Sequence, residues 1–192
     1  MRTALLNGGW VDYLPSFFDK TAADALFAEL IDKVPWEDHR QPRLIRWYGD
    51  FPYVYTGASH EARPLPSRLD EMRKLVEGQV FGESRGQFRG VLLNLYRDGN
   101  DSVGYHADDE PVIKPDTPIA SVSLGAERVF RLKYTGTPVH GCLVPVPVEY
   151  RLAHGSLLVM GGTTQRYWKH GVPKDPTVST PRVNLTFREY NA

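Results

Sequence analysis

The chain has 192 residues, with 23 Lys plus Arg balanced by 23 Asp plus Glu, and it is 41% hydrophobic and 24% charged. These proportions belong to an ordinary globular chain and exclude disorder, a collagen-like repeat and a disulfide-built scaffold. Zero net charge excludes a protein that coats nucleic acid through bulk charge, but not one with a local basic patch. Cys142 is the single cysteine. It has no internal partner for a disulfide and is too few for a cysteine-rich zinc cluster, so a reducing, intracellular setting (cytoplasm or nucleus) is expected. No apolar run approaches the ~20 residues of a membrane helix. The N-terminal apolar stub is broken by Asn7, Gly8 and Gly9 and does not read as a signal peptide. The expectation is one domain over 1–192 that works as a monomer away from membranes.

In chain order, residues 19–34 predict a helix. Leu26, Phe27, Leu30, Ile31 and Val34 recur at helical spacing, with Asp19 as cap and Pro35 as stop. Residues 68–77 predict a second helix, with Ser67 and Asp70 resembling a capping box and Gly78 as its stop. The stretch 35–66 between them is Pro-broken and reads as loop. It carries Trp36, Trp47, Tyr48, Phe51, Tyr53 and Tyr55, which suit either a small core or a platform for a flat ligand. From residue 88 the pattern becomes short strands: 88–97, 103–106, 119–125, 128–134, 146–152, 155–161 and 182–190. That spacing predicts a mainly β chain with flanking helices, an antiparallel sandwich or barrel of the jelly-roll kind. A helical, loop-rich front (1–87) is expected to pack on the β part (88–192).

His106 and Asp108 stand two apart at the end of one strand-like run. Positions i and i+2 of a strand share a face, so an imidazole and a carboxylate can offer adjacent ligands to a metal. Standing alone, the pair reads first as a surface His beside the solvated acidic run Asp108–Glu110. A third ligand is needed, and of the six His the best placed is His170, which ends the run 165–169 before Gly171. His154 reads as structural, and His39, His60 and His140 read as solvated. Two His and one Asp leave positions open for substrate and O2 on iron. Zinc with the same ligands would suit hydrolysis, so the triad alone does not fix the metal.

In the last strand Arg182, Asn184, Thr186 and Arg188 alternate with Val183, Leu185 and Phe187. The polar set shares one face. Two Arg on that face repel unless an anion joins them, and a dicarboxylate would satisfy both through charge-assisted hydrogen bonds. The other reading is an edge strand whose two Arg lie in water or pair with Asp or Glu. Asn94 and Tyr96 stand two apart on the 88–97 run and could add hydrogen bonds.

Four blocks then carry a resemblance: PRLIRWYGDFPYVYTG (42–57), NLYRDGNDSVGYHADDEP (94–111), LAHGSLLVMGGTTQRYWKHGVPK (152–174) and PRVNLTFR (181–188). Together they resemble the AlkB family of iron- and 2-oxoglutarate-dependent dioxygenases, most closely the branch that repairs alkylated nucleic acid bases. Residues before 42 carry none of it. The resemblance implies a double-stranded β-helix (jelly-roll) core with His106, Asp108 and His170 as catalytic ligands of Fe(II). It implies a 2-oxoglutarate pocket of Asn94, Tyr96, Arg182, Asn184, Thr186 and Arg188, with O2 as the other cosubstrate. Tyr53 and Tyr55 match aromatic positions over a flipped base, and Asp109 and Glu110 match acidic positions at the base's polar edge. Arg40, Arg43 and Arg46 are candidates for phosphate contact. The implied reaction is oxidative dealkylation of bases such as 1-methyladenine and 3-methylcytosine in DNA or RNA, releasing aldehyde, succinate and CO2. The alternative keeps this machinery but acts on a protein or small-molecule substrate. The Tyr-x-Tyr segment favours nucleic acid.

Overall fold

The computed structural model describes residues 2–39, 42–55, 57–137 and 146–191, without the side chain of Tyr55. Cys142 and His140 lie outside the described residues, as does Arg40.

The larger sheet runs in the order β1 (Arg2–Ala4), β2 (Gly9–Leu14), β11 (Ser156–Gly162), β8 (Ile119–Gly125), β13 (Arg182–Arg188), β6 (Gly90–Tyr96) and β3 (Leu44–Gly49). A smaller sheet runs β10 (Val148–Leu152), β9 (Arg128–Tyr134), β12 (Trp168–Val172) and β7 (Val103–His106). A separate hairpin pairs β4 (Tyr53–Tyr55) with β5 (Ala58–His60). All neighbouring strands are antiparallel. Period-two alternation sorts each central strand between two layers. Val183, Leu185 and Phe187 of β13, with Val91, Leu93 and Leu95 of β6 and Val122 and Leu124 of β8, face the helices. Leu158 and Met160 of β11 instead meet Phe130, Leu132 and Trp168 of the smaller sheet. The result is the mainly β sandwich with flanking helices that the sequence predicts. Each such side chain removed from water contributes roughly 1.5–3 kcal/mol.

Helix α1 (Lys20–Lys33) matches its prediction. Asp19 accepts from the Ala22 N–H at 2.8 Å, and the buried stripe Ala23, Leu26 and Leu30 packs on β8 and β13. Helix α2 (Ser67–Phe81) is longer than predicted. Gly78 does not stop it, because the turn to the left-handed conformation that closes the helix falls at Gly82, at φ 81°. Ser67 makes no cap; Pro66 occupies that position. The largest departure is in the front region. The stretch 35–66 contains β3 and the hairpin, and residues 2–14 supply β1 and β2. Front and rear of the chain therefore share one sheet.

Two glycines explain how the front hairpin is seated. Gly49 of β3 and Gly90 of β6 are cross-strand partners. A Cβ on either would lie 2.3 or 2.1 Å from the Trp47 ring, so only glycine lets that indole lie flat on the sheet. Tyr53 of β4 then stacks on Trp47, with ring centroids 4.6 Å apart.

Glu77 locks the exit of α2 to the entry of β6. Its buried carboxylate accepts from Phe88 N (2.7 Å), Gly86 N (3.0 Å) and Ser84 Oγ (2.6 Å) and pairs with Arg73 Nη1 at 2.9 Å. Burial opposes its charge, but these donors outweigh burial and hold its pKa below the ordinary 4.5. A depressed acid stabilises the fold above its unfolded pKa and loses that contribution as pH falls through the folded value. Glu77→Gln is expected to cost about 2–3 kcal/mol at pH 7. Urea unfolding of both proteins should show the gap narrowing below pH ~4.5; a gap that does not change with pH would contradict this.

Candidate active site

Strand register brings two of the predicted ligands together. His170 of β12 pairs directly with His106 of β7, and their ring centroids lie 4.4 Å apart. Strand β7 ends at His106, so Asp108 sits in the following loop and not on the strand face. It converges all the same, because its N–H donates to Gln165 Oε1 at 2.9 Å and its Oδ1 accepts from Arg188 Nη2 at 2.9 Å. His106 Nε2 lies 3.7 Å from Asp108 Oδ1, and His170 Nε2 lies 3.9 Å from Asp108 Oδ2. One ligand atom from each of the three residues falls within a 4.8 Å span.

The protonation of this cluster suits a cation. His106 Nδ1 lies 2.9 Å from the Gly104 carbonyl. A proton on Nδ1 satisfies that contact and leaves the Nε2 lone pair directed at the triad. Burial, reinforced by His106, lowers the pKa of His170 to about 3, so its imidazole is neutral across the working range. Burial also opposes the charge on Asp108, but Arg188, His170 and His106 outweigh it and hold the carboxyl well below the ordinary range. Asp108 Oδ2 is buried with no hydrogen-bond donor. A buried carboxylate with one bare oxygen, set beside two imidazoles, is the donor set of a divalent metal.

Beside the triad lies a narrow cleft lined by all six predicted keto-acid residues, Asn94, Tyr96, Arg182, Asn184, Thr186 and Arg188. Strand β13 is central and every residue in it is buried, so the reading of a solvated edge strand is excluded. Register explains the polar wall: Asn184 lies between Asn94 of β6 and Ser123 of β8, and Thr186 lies opposite Ser121. Asn184 accepts from Asn94 Nδ2 at 3.2 Å and from Thr186 Oγ1 at 3.0 Å, and donates to Ser121 Oγ at 2.7 Å. Arg182 is 1% exposed and donates to Ser123 Oγ, yet it has no carboxylate partner among the described residues. Its Nε and Nη1, and those of Arg188, make no hydrogen bond. Unmet guanidinium donors lining a polar cleft fit a small dicarboxylate.

Several residues escape the sequence reading or depart from it. Ser121 and Ser123 belong to the wall, and their alternation with Ala120, Val122 and Leu124 is the signal that shows it. Arg43, a phosphate candidate, is buried instead and donates from Nε to Asn94 Oδ1 at 2.7 Å inside the cleft. Arg46 is bound to Glu37 and lies 5.5 Å over the Tyr48 ring. Neither is placed to meet a phosphate. Tyr53 is fully buried between Trp47 and Tyr190, and its hydroxyl donates to Glu110 Oε1 at 3.1 Å. It offers no open ring face in this structure. The Tyr55 side chain lies outside the described residues. Asp109 is exposed, and with Glu110 it lines a second, wider cavity of roughly 1050 Å³ that also touches Asp108 and Gln165. His154 is structural, as expected, bridging the Gly125 N–H and Asp24. His60 is buried and not solvated, His39 is only partly exposed, and both gather at Glu37.

Comparisons with known proteins agree with this geometry. The family model described as the 2OG-Fe(II) oxygenase superfamily matches residues 11–188. The alpha-ketoglutarate-dependent dioxygenase alkB homolog 3 of Bos taurus is 38% identical over 185 residues, which cover 91% of this chain and 64% of that protein. The chain thus spans just under two thirds of that relative's length. The DNA oxidative demethylase ALKBH2 of Mus musculus is 38% identical over 188 residues, covering 90% of this chain and 77% of that protein. The solved structure of OsALKBH1 superposes with a TM-score of 0.65 at 16% identity, covering 98% of this chain and all of that one, and shows the shared fold. Among the described residues no helix is long and apolar enough to cross a membrane. The match from residue 11 to 188 and the identity to ALKBH2 establish that the chain belongs to the AlkB family of the 2OG-Fe(II) oxygenase superfamily.

Proposed function

We propose that this chain removes alkyl groups oxidatively from N-alkylated bases in DNA or RNA, consuming 2-oxoglutarate and O2. His106, Asp108 and His170 hold Fe(II) through His106 Nε2, His170 Nε2 and the Asp108 carboxylate. Arg182 holds the distal carboxylate of the keto acid, and Arg188 both fixes Asp108 and faces the keto-acid end. Asn94, Tyr96, Asn184 and Thr186 complete the cosubstrate pocket. When bound, the metal and keto acid supply the oxidising chemistry that hydroxylates the N-alkyl carbon, and the protein supplies orientation and exclusion of water. The hydroxylated group then leaves as an aldehyde, formaldehyde in the case of methyl.

The observation that carries this reading is the Arg182 guanidinium, which has no carboxylate partner among the described residues and is buried in a cleft that opens on the orphan oxygen of Asp108. Neither group is satisfied by the protein alone, and one bound metal with one chelating diacid satisfies both. The substrate class is supported by the similarity to the DNA oxidative demethylase ALKBH2 and by the acidic pair Asp109 and Glu110 beside Asp108. Methylation at N1 of adenine or N3 of cytosine leaves a cationic ring, which those carboxylates attract. These atoms sit on the Watson–Crick edge, so the base must leave the stack or come from a single strand. Tyr53 acts in this reading through Glu110, whose orientation it fixes.

The test is aldehyde release from methylated oligonucleotides. Formaldehyde should appear only with Fe(II) and 2-oxoglutarate together. No product from single- or double-stranded DNA or RNA, with succinate still formed slowly, would move the activity to a protein or small-molecule substrate.

A further inference from the structure

We propose that Glu37, His39 and His60 form a second divalent-metal site, of the kind that takes Zn(II), where the β4–β5 hairpin meets the edge of the larger sheet. Glu37 Oε2 lies 3.0 Å from His39 Nε2 and 3.4 Å from His60 Nδ1. Zinc bonds of about 2.0–2.2 Å at the tetrahedral angle place neighbouring ligand atoms about 3.3–3.6 Å apart. One separation falls in that range and the other within a few tenths of an ångström. The group is tighter than the 3.7 and 3.9 Å of the first triad. It shares that triad's span of 4.8 Å for its three ligand atoms.

Two features point to an ion rather than to a hydrogen-bonded cluster alone. The His60 ring is fully buried; its Nε2 makes no hydrogen bond, and its Nδ1 faces Glu37 Oε2 at 3.4 Å, at the long end of a hydrogen bond. Bare polar atoms at that depth are costly, and a metal on one nitrogen removes part of the cost. The carboxylate, moreover, is divided: Glu37 Oε1 takes Arg46 and Arg63, while Oε2 faces the two imidazoles. The guanidiniums fix its rotation and weaken its oxygen as a donor. That favours a nitrogen-seeking ion over Mg(II) or Ca(II), which need several oxygen ligands. Glu37 and His39 are partly exposed, which leaves room for water in a fourth position.

The consequence is a staple on the substrate side of the molecule. Glu37 is bridged by backbone hydrogen bonds to Ile45 of β3, and His60 pairs across the hairpin with Tyr53. An ion at this point ties the strand that carries Tyr53, and through it Glu110, to the sheet edge. This inference does not depend on the proposed reaction.

Equilibrium dialysis of the metal-free chain against micromolar Zn(II), followed by elemental analysis, tests it. Two ions per chain are expected for the native protein, one for His39→Gln, one for Asp108→Ala and none for the double variant. His39 is the residue to change because it is partly exposed, so its loss opens no core cavity. The native protein should also gain more in melting temperature on adding Zn(II) than His39→Gln does. A native count of one, or a count of two that survives His39→Gln, would overturn the proposal.

Discussion

Replacing Asp108 with Ala is expected to abolish dealkylation, lowering turnover by more than about 100-fold, the upper end of what losing a mere outer-shell partner costs. The same change should destabilise the metal-free fold by about 3–5 kcal/mol, because it strands a buried charge. Arg188 is 3% exposed and Asp108 is its only carboxylate among the described residues, at 2.9 Å. Aldehyde release and urea unfolding read the two effects separately. Normal turnover in the variant would remove Asp108 from the metal. Unchanged stability would mean that the Arg188 charge is met elsewhere.

Arg182→Met should behave in the opposite way in the unfolding experiment. Arg182 is buried without a carboxylate, and burial, with the charge of Arg128 added, pushes its pKa down. An unbranched apolar side chain removes a desolvated charge that the protein meets with no carboxylate, only with the Ser123 hydroxyl and the Tyr96 ring, so the ligand-free fold should hold its stability or gain. Binding should suffer instead. Losing one partner of a buried hydrogen-bonded charge pair costs about 2–5 kcal/mol, so the KM for 2-oxoglutarate should rise at least about 30-fold. Turnover at saturating keto acid should change far less. Steady-state kinetics with varied 2-oxoglutarate measures this. A loss confined to kcat, with KM unchanged, would take Arg182 away from the cosubstrate. The two variants together separate a charge that the fold needs from one that only the ligand needs.

How much of this was legible in sequence follows from which interactions are local. The alternation in 182–188 reports a face directly, because neighbouring positions on a strand cannot share one. The Asp19 cap and the stripe of α1 are equally local. What sequence spacing does not supply is register. That His170 lies opposite His106 depends on β12 pairing with β7, and nothing in either run specifies the partner. Arg43 illustrates the same limit, since its burial depends on Asn94, which lies 51 positions away. The front region was the least legible. Its prolines and bulky rings read as loop, yet β3 and the hairpin are held there by Trp47 lying on Gly49 and Gly90. His39 and His60 looked solvated because their common partner Glu37 reaches them only once the hairpin has folded back.

In the proposed reaction the triad and the guanidinium-lined cleft bind one ferrous ion and one keto diacid together. Visible absorption of the protein under anaerobic conditions, with Fe(II) and 2-oxoglutarate added in turn, tests it most directly. A weak charge-transfer band should appear only when both are present, saturate at one of each per chain, and be absent from Asp108→Ala. A colourless mixture of native protein with both would contradict the account, as would a band of equal strength in that variant.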